Sequence, residues 1–151
     1  PRTGWRPVDS AGRRGTDAIL LALSADFAGD RVAVLIGGLG GMLNAAFEEK
    51  TEFYLPDELD PQKIHNSARN LEIAAWKLAN ARDTGGALLL ASNEPAQAGQ
   101  PANLSFEREF GKMIGNLDLL AALLADKGHR TIARVAQGVA TAVFLPVPSL
   151  R

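Results

Sequence analysis

The sequence predicts an all-α protein, a compact bundle of about five helices around a central helix at 106–127. Three observations carry that expectation. First, Phe106, Phe110, Met113, Leu117, Leu120 and Leu124 recur at spacings of four and three, one apolar stripe along about six helical turns. Second, Ile64, Ala68, Leu71, Ala75 and Leu78 repeat the same rhythm in a second segment. Third, the chain shows no repeated strand–helix alternation.

The chain has 151 residues, enough for one domain with a substantial core. A hydrophobic fraction of 46% with 22% charged is ordinary for a folded protein and unlike a disordered one. A formal net charge of −1 provides no global field for a polyanion. There is no cysteine, which excludes disulfides, thiolate metal sites and cysteine nucleophiles. The longest apolar stretch, Val32 to Phe47, is broken by Asn44 and four glycines and falls short of a membrane span. With no leader visible at Pro1, the expected location is the cytoplasm.

Residues 1–16 read as an arm or irregular lead-in, 17–145 as a single helical domain and 146–151 as a tail. The arm carries Arg2, Arg6, Arg13 and Arg14 against Asp9. Trp5 stands out in it, because an indole in a polar segment is usually an anchor, either to the domain or to a partner. Thr16 is a candidate cap for a helix with Ile19, Leu20, Leu23 and Phe27 on its apolar face, closed by Ala28-Gly29-Asp30. Arg31 to Phe47 supports two readings. As a helix it places Val32, Leu35, Ile36, Leu39, Leu43 and Ala46 on one face, at a cost of about 4 kcal/mol for four glycines. Close helix packing at Gly37 and Gly41 could offset that cost. The alternative is an α/β fold with a strand at 31–36, a Gly37-Gly38-Leu39-Gly40-Gly41 loop and a following helix.

Glu48 to Asp60 is acidic and ends that element. Asp60-Pro61 then opens a helix, aspartate as cap and proline in the first turn, that runs to Asp83-Thr84-Gly85-Gly86. The segment 92–103 is a polar loop with two prolines, long for a compact domain and a candidate binding loop. Asn103 or Ser105 can cap the central helix, and Gly128 can end it in a left-handed conformation. Ile114, Leu119 and Leu123 widen its stripe, which suggests neighbours on more than one side. A last helix is expected over 129–145, ended by Pro146. Leu20 to Arg31 parallels Leu119 to Arg130 as helix, glycine stop and charged pair, a likeness that turn physics alone can produce.

No constellation of residues assigns a chemistry. His65 and His129 lack metal-ligand spacing, so no metal or cofactor is expected. Pro1 is not followed by the strand that an amino-terminal proline base would need, and no Gly-x-Ser-x-Gly elbow occurs. The leading expectation is therefore a non-enzymatic protein–protein interaction or scaffold module, self-associating, with Trp5, Glu48, Glu49, Glu52, Asp57, Glu58 and the 92–103 loop as contact surfaces. One alternative is a nucleic-acid-binding accessory protein using Arg2, Arg6, Arg13, Arg14, Arg130 and Arg134. A second is a nucleotide or small-ligand site at Gly37, Gly38, Gly40 and Gly41, whose amides could cradle a phosphate if they formed a turn before a helix.

Overall fold

The computed structural model describes residues 10–54, 58–89, 99, 105–129, 131–132 and 143–148. Four helices occur among them: α1 (Gly15–Ala22), α2 (Arg31–Ala46), α3 (Pro61–Asn80) and α4 (Ser105–Lys127). No strand is formed there; the one β-type pairing is an isolated antiparallel bridge between Arg82 and Leu88. The all-α expectation is met. The fifth helix, expected over 129–145, falls mostly outside the described residues, and at 129, 131–132 and 143–145 the backbone is not helical. No helix among the described residues is long and apolar enough to cross a membrane.

The helices form two hairpins. α1 packs on α2, α4 packs on α3, and a smaller contact between α2 and α3 joins the pairs. This moves the centre of the fold from α4 to α3. Eleven residues of α3 are buried, including the whole expected stripe from Ile64 to Leu78. α4 buries Phe110, Leu117, Ala121 and Ala125, half-buries Phe106, Met113, Ile114, Leu120 and Leu124 against the core, and exposes its outer face. Leu119 and Leu123 are exposed, and among the described residues α3 is the helix on which α4 chiefly packs.

α1 is shorter than its apolar pattern. It begins at Gly15, so Thr16 lies inside the helix and is not its cap; the capping position is Arg14, extended and without a side-chain cap bond. It stops at Ala22, whose carbonyl Arg31 binds together with two carbonyls of the turn that follows. The guanidinium donates to the Ala22 and Ala25 oxygens at 3.0 Å each and also to Ser24 O. Phe27, expected on the helix, lies in the connecting turn, half-buried against the core and under Arg31.

α2 is a helix through all its glycines, which overturns the strand at 31–36. Asp30, expected to close the preceding helix, instead caps this one and accepts from Ala33 N at 3.0 Å. The glycine penalty is offset by contact with α1. A Cβ at Gly38 would lie 2.8 Å from Ile19 N and 2.9 Å from Gly15 O, and one at Gly41 would lie 3.3 Å from Gly15 N. Gly38 and Gly41 thus admit α1. α3 starts as expected, with Asp60 accepting from Gln62 N at 2.9 Å and Pro61 in the first turn. It ends at Asn80, and Asp83 then builds a turn by accepting from the Gly85 and Ala87 amides. Ser105 is already helical and so does not cap α4. After α4 the left-handed residue is His129, with φ of 50°, rather than Gly128.

Candidate functional site

Four places in the structure bring polar or exposed apolar groups together. The first is the end of α2. Glu48 and Glu49 both have positive φ, 57° and 60°, where non-glycine residues are uncommon. Their amides return to Ala45 O and Asn44 O at 3.1 and 2.8 Å, closing the helix without a glycine. The turn aims the Glu48 carboxylate at Lys63 of α3, 3.7 Å away, with Lys50 at 4.0 Å. Glu48 is therefore a tie between α2 and α3. Glu52 accepts from the Tyr54 hydroxyl at 2.7 Å, Glu49 and Glu58 are exposed, and Asp57 lies outside the described residues. Among the described residues the acidic segment divides between internal ties and exposed carboxylates.

The second place is the α3–α4 seam. Asp118 faces Arg69 at 2.5 Å and His65 Nδ1 at 3.8 Å, and Arg69 also reaches Glu72 at 3.1 Å. Arg69 Nε is buried without a hydrogen-bond partner. Among the described residues no group of three or more histidines or carboxylates could hold a metal ion. His129 is exposed at the end of α4, far in sequence from His65.

The third is a buried polar ladder on α3 that pattern reading missed. Asn70, fully buried, donates from Nδ2 to Leu145 O at 2.8 Å and accepts from Leu145 N at 2.6 Å. One turn earlier, Asn66 donates to Pro146 O at 3.0 Å and accepts from Gln62 at 2.8 Å. The two asparagines hold the segment 143–148 by its backbone, and Phe144 and Val147 pack against the core. The signal was present as Gln62, Asn66 and Asn70 at four-residue spacing, but such a row reads as a solvated face until its partner is known.

The fourth is a cavity of about 430 Å³ between the start of α1 and the glycine face of α2. Arg13, Arg14, Gly37, Gly38, Glu49 and Val147 are among its lining residues. Neither arginine makes an ion pair among the described residues, and both are exposed. The glycines thus line a cavity from the middle of a helix, where most of their amides are engaged within the helix. They do not form the strand–turn–helix phosphate cradle; Gly40 in fact points to open space. Of the basic residues considered for nucleic acid, Arg2, Arg6, Arg130 and Arg134 lie outside the described residues, as do Trp5 and the 92–103 loop apart from Gly99.

No family model, curated protein or solved structure matches the chain.

Proposed function

We propose that this protein is a protein–protein interaction module that self-associates. The observation that supports the reading is the outer face of α4. Leu119 and Leu123 lie one turn apart on it and are 62% and 59% exposed, in a helix whose other side is well packed. Val32 and Ile36 repeat the arrangement on α2. Isolated exposed leucines are ordinary, but paired ones on a long helix are what a partner surface requires. Burying a leucine fully contributes about 1.5–3 kcal/mol, so the exposed part of each is worth about 1–2 kcal/mol. Four such side chains in a symmetric dimer contribute about 4–7 kcal/mol, against an association cost of similar size. The dimer on this reading is weak and populated only at high chain concentration. The reading goes with a cytoplasmic location and with no catalytic step. Its test is Leu119→Glu with Leu123→Glu: size measured by light scattering on a column should fall to monomer while helix content is kept. A variant that associates like the parent would refute it.

The cavity supports a second reading, binding of a small anion. About 430 Å³ is within the range of small-molecule sites, and Arg13 and Arg14 supply the charge. Arg13→Ala with Arg14→Ala should then abolish heat of binding for short-chain carboxylates or phosphates in calorimetry; no heat with the parent protein would remove this reading.

A further inference from the structure

Exposure turns one row of α4 into a specific pattern. At four-residue spacing the helix carries Glu107, Gly111, Gly115, Leu119, Leu123 and Lys127, and all six are exposed. The two glycines have no intramolecular reason in the structure, since a Cβ built at either meets nothing within 4 Å. Each lowers helix stability relative to alanine, yet neither admits a neighbour among the described residues. Read in reverse, the row is its own complement: acid faces base, and each glycine faces a leucine.

Resting on the self-association reading, we propose that the partner is a second copy of this chain, docked antiparallel along this row of α4. The two-fold axis lies midway between Gly115 and Leu119. Leu119 of each copy then sits in the notch at the other's Gly115, and Leu123 in the notch at Gly111. Glu107 and Lys127 meet across both ends of the interface. Rows of this spacing run at an angle to the helix axis, and when two such rows lie alongside each other the helices cross at about 50°. The notches let the backbones approach where a side chain would hold them apart. A two-fold contact requires one patch to be complementary to itself, and this row satisfies that in shape and in charge. The opposite, parallel arrangement would set leucine against leucine and leave the glycine notches empty.

The test uses the full chain, which has no native cysteine to interfere. One preparation carries Gly111→Cys and a second carries Leu123→Cys. In the proposed register these positions face each other across the interface, whereas two copies of the same position lie about 18 Å apart along the axis, beyond disulfide reach. The mixture should form a disulfide-linked dimer at least tenfold faster than either preparation alone. In parallel, Gly111→Leu with Gly115→Leu should fill the notches, weaken the dimer at least tenfold in sedimentation and leave helix content equal or higher, so loss of the dimer cannot be loss of fold. Glu107→Lys and Lys127→Glu should each weaken the dimer several-fold, and the two together should restore it. A wild-type dimer whose cysteine mixture does not cross-link, or whose leucine-filled variant still pairs, overturns this register alone. A wild-type chain that stays monomeric at every concentration overturns the self-association reading and this register with it.

Discussion

Two adjacent glycine-to-alanine changes in α2 should have opposite signs. At Gly40 a new Cβ meets nothing within 4 Å, so Gly40→Ala gains helix propensity with no steric cost. The expected stabilisation is about 0.5–1 kcal/mol. At Gly38 the same methyl would lie 2.8 Å from Ile19 N, 2.9 Å from Gly15 O and 2.9 Å from Ile19 Cγ1. Two of those three atoms are backbone, so no rotamer change relieves the clash and α1 has to move away. Ile19 is fully buried, and Gly41 also touches the start of α1, so the displacement loosens packing along the hairpin. Overpacking of this kind costs about 1–3 kcal/mol, at the upper end where backbone is involved. After the propensity gain of about 1 kcal/mol, Gly38→Ala should be destabilised by about 1–2 kcal/mol. Urea unfolding followed by circular dichroism measures both, and the two variants should differ by about 2–3 kcal/mol with unchanged slope. Equal stabilisation by both alanines would refute the packing of α1 on Gly38, and with it the first hairpin.

Other substitutions test other contacts. Asn70→Leu leaves the Leu145 amide and carbonyl without partners and should cost about 2–4 kcal/mol in urea unfolding, with earlier proteolytic cleavage near the carboxyl-terminal segment. Arg31→Ala removes the donor to the Ala22, Ser24 and Ala25 carbonyls and should cost about 1–2 kcal/mol, with faster amide exchange in α1. Asp118→Asn takes the charge partner from Arg69 at the α3–α4 seam; because both side chains are partly exposed the loss should be about 1 kcal/mol or less, and smaller in high salt.

Much of the architecture was legible in the residues, and the misses share a cause. Asp60-Pro61 and the Ile64–Leu78 rhythm specified α3 because cap chemistry and periodicity are local. Arg31 to Phe47 stayed undecided because its glycines argue against a helix until α1 is seen to lie on Gly38. α1 was read too long because Phe27 continues the apolar spacing, while the carbonyls at its end are bound by an arginine in the next element. Asn66 and Asn70 were passed over because periodicity cannot show that a polar row faces a backbone 75 residues ahead of Asn70. On α4 the apolar positions are legible, but hydrophobic spacing reports a face to be covered and not what covers it, and Leu119 and Leu123 are exposed in the structure. Glu48 of the acidic segment turns inward to Lys63, a partner that spacing along the chain does not reveal. The glycine row of α4 was readable at spacing four all along and gained meaning only once every member proved to be exposed.

The measurement that bears most directly on the central claim is sedimentation velocity of the unmodified chain from about 5 to 500 µM. The account predicts a concentration-dependent shift from monomer towards dimer, greatest at the top of that range, because four partly exposed leucines only narrowly offset the cost of association. A single monomeric species unchanged across that range would contradict it.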